Sequence, residues 1–378
     1  FPYTTLFRSA KSLIIIAILF TSASLTGCSD MTEIEDRNFI QAMGIDLKGD
    51  EIKVYYVMPD LAAITGQPTK DSEKLIIELK GKDYWEIEED YQLQSAKKLD
   101  FSHLKAIILG KNMADNSKQL NELLLYIENN YEIARNTLLY VGNKDAKEII
   151  SLNGDIHNGI GQYLERLDRI NLTKIGKAEV TIGDLIHGKN SENSIVKVPI
   201  IKPLKKSVKN IGLAVFKESK LVYELNEKES DYINIANGRG KNVRIFIKEA
   251  EKGNPKYVVR LINASRSTEF SWVNGKPMMI LNINGSGLVE KGIKDTGNTS
   301  QEARIKIIHD VEKQCNKQIK EETAKLLDKM MKEGNIDILN LYSMTSFKNK
   351  DMWLEYENRT DQFIMDLEYT VDVNMRLK

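Results

Sequence analysis

Apolar and polar positions alternate most regularly at the very end of the chain. Every second residue from Leu367 to Leu377 is apolar, and the residues between them are polar. Successive side chains of a β-strand point to opposite faces, so this pattern predicts a strand with one buried and one solvent-facing side. We expect it to close the second half of the chain as an antiparallel strand.

The clearest helical period comes before that strand. Apolar side chains recur at spacings of three, four and seven from Ile305 to Met330. This period predicts one long amphipathic helix, with Gly334 as its C-cap. Cys315 falls on the apolar stripe, where a free cysteine packs as a small hydrophobe.

The first half of the chain alternates short apolar runs with helical periods. Residues 101–152 have the pattern strand, helix, strand, helix, which predicts a local α/β unit, and Ser117 is expected to cap the first of these helices. The whole pattern predicts an α+β protein of several domains, in which mixed sheets pack against helices. Further strands are predicted at 42–47, 52–58, 75–79, 211–216, 221–225, 243–247, 257–262, 269–273 and 278–284, and further helices at 85–99, 160–170 and 182–187.

The segment 188–209 differs in composition from its surroundings. It contains Pro199 and Pro203 and a cluster of lysines, and we expect a linker there. The lysines are expected to form a solvated face, with contact to a membrane surface as the alternative. This divides the chain into an N-terminal α/β domain at 28–200 and a C-terminal α+β domain at 201–378, which could divide again near 285–300. The lysines concerned are Lys202, Lys205, Lys206 and Lys209.

The N-terminus has the features of an export signal. Lys11 precedes an unbroken apolar run at 13–20, which is too short to span a bilayer, and small residues follow. Leu25-Thr-Gly-Cys28 then resembles the bacterial lipobox. That resemblance implies cleavage between Gly27 and Cys28 and a diacylglyceryl (palmitate-type) anchor on the Cys28 thiol. Residues 10–27 would be the signal peptide, and residues 1–9 are interpreted as a cloning or sequencing-adapter artefact.

Composition indicates a globular protein without an electrostatic preference for nucleic acid. Of the 378 residues, 42% are apolar and 29% are charged, and the 54 basic residues balance the 54 acidic ones. Nucleic acid binding needs concentrated positive charge. With Cys28 assigned to the lipid, Cys315 has no partner for a disulfide, which suits an exported Gram-positive protein.

No catalytic, cofactor or metal motif is found. The four histidines, His103, His157, His187 and His309, are not spaced as metal ligands, and zincin, nucleophile-elbow, P-loop and EF-hand patterns are absent. Gly238-Arg-Gly240 is interpreted as a turn, and the acidic run 88–90 as a solvated face, because helical neighbours diverge. We therefore expect a non-enzymatic protein with no cofactor, no metal and no nucleic acid partner.

Several segments, in order, are similar to the spore germinant-receptor C-subunit lipoproteins. The run from Phe101 to Gly110 (FSHLKAIILG) resembles the most typical stretch of that family, and Trp353 stands where the family carries a tryptophan. Tyr223-Glu224 departs from the family pattern. Further similar segments are 43–46, 120–127, 136–141, 146–150, 211–217 and 335–338.

The resemblance implies a lipid-anchored, non-enzymatic subunit on the outer face of the spore inner membrane. It would act in nutrient-triggered germination through contacts with an integral-membrane A-type and a transporter-like B-type subunit. The alternative is a solute-binding lipoprotein of a transporter, which predicts two similar α/β lobes around a cleft. The strand-rich second half with its long helix counts against this alternative.

Overall fold

The computed structural model describes residues 33–59, 75–152, 159–175, 180–191, 194–249, 252–292 and 300–378. Within these ranges the chain forms an eight-stranded sheet, a four-stranded sheet and a two-stranded parallel ribbon, with helices packed against them. The ribbon pairs β1 (Arg37–Phe39) with β5 (Lys98–Asp100). The predicted α+β class is confirmed.

The first half of the chain forms five neighbouring strands of the larger, eight-stranded sheet. Its strands β2 (Ala42–Lys48), β6 (Ala106–Leu109) and β7 (Leu138–Gly142) are parallel and begin at the same edge, where the first residues of the three strands are Cα partners. Helices connect these strands, as parallel pairing requires. The other two strands of this part of the sheet are β3 (Glu51–Val57) and β4 (Ile76–Gly81); the helices are α1 (Tyr84–Gln94), α2 (Lys111–Asp115), α3 (Ser117–Asn129), α4 (Ala146–Ile150), α5 (Ile160–Ile175) and α6 (Ile182–Lys189).

Three further strands extend the same sheet: β8 (Ile195–Pro203), β9 (Val208–Lys217) and β10 (Lys220–Asn226). The segment expected to be a linker therefore contains a largely buried strand. Its isoleucines and valines favour a strand, and Pro199 lies within it, opposite Leu213 of the next strand. The predicted domain limit after residue 200 falls inside β8, and the division into domains stays a prediction.

The second half builds the smaller sheet and its helical cover. The strands predicted at 257–262 and 269–273 are one long strand, β12 (Lys252–Val273), and the helical period from Ile305 forms α8 (Gln301–Leu327), which continues as a π-helical turn to Gly334. The other elements are α7 (Glu227–Ala236), β11 (Arg244–Glu249), β13 (Lys276–Lys291), α9 (Leu341–Lys348), α10 (Lys350–Glu355), α11 (Thr360–Asp366) and β14 (Glu368–Leu377).

The closing strand β14 has the predicted faces but not the predicted direction. Val371 and Met375 are buried, whereas Asp372 and Asn374 are exposed, so the alternation is confirmed. The antiparallel prediction is wrong, because β14 pairs with β13 in parallel. The chain crosses over through α8 and α9 to α11 before β14 begins, and such a crossover connection is what joins parallel strands.

Three local predictions also differ from the structure. Asn116, not Ser117, caps α3, because its side chain accepts the N–H of Gln119. Helix α1 ends at Gln94, so Leu99 lies in β5. Ile305, expected on the apolar stripe of α8, is 60% exposed.

Strands β8 to β10 belong to two cores at once. On one face, Val198 and Phe216 pack with the interior of the first half. On the other face, Ile195 and Val215 pack with α7, α8 and the smaller sheet. Since one sheet supplies both cores, the two halves are joined by packed side chains and not by a flexible connection.

Candidate functional site

The predicted lipidation site lies outside the described residues. Gly27 and Cys28 precede Glu33, the first residue that the structure describes. Across the described ranges, no helix is long and apolar enough to cross a membrane. The lipid anchor therefore stays a prediction from the sequence.

The described histidines lie far apart in the chain and in different settings. The ring of His103 packs edge-on against Phe39 at 5.3 Å, and His309 is exposed, 3.9 Å from Glu312. His157 lies outside the described residues. Among the residues that are described, no group of three histidine, cysteine or carboxylate side chains is placed to hold a metal ion.

His187 is the described histidine that lies beside a hydroxyl group. Its Nε2 is 3.4 Å from Ser191 Oγ at the end of α6. Asp184, one turn earlier, accepts the N–H and Oγ–H of Thr181 in a capping box. A nucleophilic triad needs its carboxylate to orient the histidine. Here the carboxylate caps the helix instead.

The other predicted candidates have structural surroundings. Cys315 is fully buried in the core of the second half, and burial raises the pKa of its thiol to about 12. A thiol that is seldom ionised is a poor nucleophile. In the acidic run, Glu88 accepts the hydroxyl of Tyr126 at 3.2 Å, whereas Glu89 and Asp90 are exposed.

A cleft opens on one face of the larger sheet. It lies between the part of that face that α5 covers and the part that the second half of the chain covers. Ile195 and Ile201 lie on the same face of β8, but Ile195 packs with the second half and Ile201 with α4 and α5. Lys197 and Pro199 lie between them on that face and line a cavity of about 250 Å³. The cleft thus lies between the two groups of elements that cover this one face of β8.

Charged and polar groups line this cleft. Lys197 and Arg239 bring positive charge, and Asp168 and Asp184 bring negative charge. The buried Asn234 amide nitrogen has no hydrogen-bond acceptor among the described residues. The arrangement could hold a small polar molecule by hydrogen bonds, but the described residues that line it include no nucleophile and base positioned as a pair.

The buried lysine of the cleft is tied to the second half. Lys197 Nζ donates to the carbonyl oxygen of Ile338 at 3.0 Å, and burial lowers the pKa of Lys197 to about 8. The neighbouring Asp337 accepts the N–H groups of Leu341 and Tyr342 at 2.7 and 2.9 Å. Burial raises the pKa of Asp337 in spite of these two bonds.

This charged cluster fixes the loop between α8 and α9 against the first half. Arg266 of β12 adds a positive charge that acts on Asp337, and it donates to Asn237 at 3.1 Å. A second link joins Lys217 of β9 to Asp361 of α11 at 2.8 Å. Sequence reasoning missed Lys197, although a lysine inside an apolar run (residues 195–201) was a visible signal.

The chain is similar to proteins of spore germination. The model of the "Spore germination protein N-terminal domain" matches residues 30–203, and that of "Spore germination B3/GerAC like, C-terminal" matches residues 211–378. Two relatives come from Bacillus subtilis (strain 168). YfkR, provisionally named a spore germination protein, is 22% identical over 319 residues, covering 82% of this chain and 81% of YfkR. Spore germination protein KC is 23% identical over 396 residues, covering 96% and 94%.

A solved structure has the same fold. The crystal structure of the GerBC protein matches with a TM-score of 0.59 at 17% identity, over 92% of this chain and 99% of that one. The match extends over both halves, so the association of the two sheets is a property of the fold.

Proposed function

We propose that this chain, which belongs to the GerAC-like family of spore germinant-receptor subunits, is a lipid-anchored, non-enzymatic C-type subunit. The anchor is a diacylglyceryl group on Cys28, and the body lies on the outer face of the spore inner membrane. Its partners are an integral-membrane A-type and a transporter-like B-type subunit. It acts in nutrient-triggered germination through contacts with them.

The observation that carries this proposal is the order of three sequence features. The lipobox ends at Cys28, and the N-terminal family match begins at residue 30. The C-terminal family match then runs to residue 378. The N-terminal family match therefore starts two residues after the residue that would carry the lipid, which is the position expected for the body of a lipoprotein.

The described residues support action by contact. The described residues that line the cleft include no nucleophile and base positioned as a pair, and the single described cysteine is buried and protonated. Confinement to a membrane raises the effective concentration of a protein near partners in that membrane. A rigid body on a lipid anchor can therefore assemble with membrane subunits through modest interfaces.

The alternative of a solute-binding lipoprotein fits less well. It predicted two similar α/β lobes around the cleft. The two halves are dissimilar, because the first contributes to a mixed eight-stranded sheet and the second forms a four-stranded sheet covered by α8.

Germination of a strain that lacks this chain tests the proposal. We expect the response to the nutrient of its receptor to be lost, while triggers that bypass nutrient receptors still act. Restoring the wild-type gene should restore the nutrient response. An unchanged nutrient response in the deletion strain would contradict the proposed function.

A further inference from the structure

One edge of the larger sheet gathers the N-terminal end of the body. Strands β2, β6 and β7 begin there, and β1 and β5 lie beside it. We call this the anchor edge and define it by residues 33–36, 93–105 and 130–137. The opposite edge includes the β8–β9 turn at 204–207, because β8 runs parallel to β7 and ends there.

The anchor edge exposes large apolar side chains. Tyr131, in the segment between α3 and β7, is 91% exposed, and Leu93, in the last turn of α1, is 80% exposed. Ile34, beside β1, is 76% exposed. Single exposed apolar residues are ordinary, but several on the one edge that receives the N-terminus are a feature to explain.

The length of chain before Glu33 restricts what can cover this edge. Four residues lie between Cys28 and Glu33, and an extended chain spans at most about 18 Å over the resulting five Cα–Cα steps. If Cys28 carries the lipid, Glu33 must therefore lie close to the headgroups. The edge cannot swing away independently, because β1 pairs with β5 and Arg37 bonds Asp100 at 2.9 Å.

The charges of the anchor edge do not attract it to anionic lipid over long distances. The edge carries five acidic side chains against four basic ones, so it has no excess of positive charge. The acidic ones are Glu33, Glu35, Asp36, Asp100 and Glu132, and the basic ones are Lys97, Lys98, Lys105 and Arg135. The basic turn with Lys205 and Lys206 lies at the far edge. Contact at the anchor edge would thus be apolar and largely insensitive to salt. Two of the cations of the anchor edge are in ion pairs, Lys98 with Glu132 at 3.0 Å and Lys105 with Glu165 at 3.4 Å. Arg37, which follows the edge in the chain, pairs with Asp100 at 2.9 Å.

We propose that the anchor edge rests on the bilayer, with Tyr131, Leu93 and Ile34 at the level of the lipid headgroups and the basic β8–β9 turn directed away from it. This orientation rests on the proposed function, because it takes the lipid on Cys28 as given. Tyrosine suits this position, since its ring is apolar and its hydroxyl remains hydrated. The occupant of the edge is thus a lipid surface.

Quenching by labelled lipid tests the orientation. Tyr131→Cys and Leu204→Cys form a matched pair, because both residues are exposed and they lie at opposite edges. Each lipidated variant would carry a bimane group and be reconstituted in phosphatidylethanolamine–phosphatidylglycerol vesicles containing nitroxide-labelled lipid. The buried Cys315 should not react. We expect at least about twofold stronger quenching at position 131, at low and high salt alike.

Equal quenching at the two positions, or stronger quenching at 204, would overturn the orientation. A peptide mass that shows no lipid on Cys28 would instead refute the proposed function. In that case the variants Tyr131→Cys and Leu204→Cys still decide the orientation. A histidine tag that replaces residues 10–28 would then tether each variant to nickel-chelating lipid. Stronger quenching at 131 would support it there, and equal quenching would overturn it.

Discussion

Lys197 shows how much a single residue can depend on the whole fold. In the sequence it interrupts an apolar run, and an alternating strand would place it on a wet face. The second half of the chain covers that face, so the amine is buried and donates to Ile338. The apolar run around Lys197 was a visible signal, but the sequence could not show what buries the amine, because the covering residues lie far along the chain.

Replacement of Lys197 by methionine should change the pH dependence of stability. The pKa is about 8 in the folded protein and about 10.4 in an unfolded chain. Between these values the unfolded chain binds more protons, so wild-type stability rises with pH. Lys197→Met lacks this rise. Relative to the variant, the wild type should gain about 2 kcal/mol from about pH 7 to about pH 10.

Denaturant unfolding of both proteins across this pH range measures the effect. The comparison between variant and wild type removes the contributions of other lysines and tyrosines, which both proteins share. Stability curves that run parallel for the two proteins would show that Lys197 is hydrated and normal in the folded state.

At the scale of elements, the sequence predicted those helices and strands that have a strong period. It did not predict which elements are neighbours in space. Helix α8 and strand β14 have clean periods, and both were found close to their predicted residues. The direction of β14 was wrong, because alternation reports faces and carries no information on pairing. The lipidation site, the one residue-level site that the sequence predicted, lies outside the described residues. The cleft was missed, because residues distant in sequence form it.

One substitution on each face of β14 tests which face is buried. Val371 is 3% exposed, and Val371→Lys would bury an unpaired charge, at a cost on the order of 3 kcal/mol or more. Asn374 is exposed on the same strand, and Asn374→Lys should change stability by less than about 0.5 kcal/mol. Thermal unfolding of the two variants tests this, and equal midpoints would mean that the strand is placed wrongly.

For the molecule as a whole, the central structural fact is that strands β8 to β10 contribute side chains to the hydrophobic cores of both halves. The two family matches meet between residues 203 and 211, inside the β8–β9 hairpin, so similarity in sequence divides a sheet that is continuous in the structure. Either half alone would expose a face of this sheet that the other half now covers.

We therefore expect the body to unfold in one cooperative transition. Leu123→Ala in the first core and Ile319→Ala in the second core each remove a fully buried side chain, at a cost of about 2–5 kcal/mol. Both should lower the midpoint of the same calorimetric transition. Two transitions, each shifted by only one of the substitutions, would show that the halves are independent.

The lipid on Cys28 is the claim on which the location, the partners and the orientation all depend. Its most direct test is the mass of the N-terminal peptide of protein extracted from spore membranes. The proposed function predicts a chain that begins at Cys28 and carries a diacylglyceryl thioether, and Cys28→Ala protein that lacks the lipid and leaves the membrane. Membrane-bound protein with an unmodified Cys28 would contradict it.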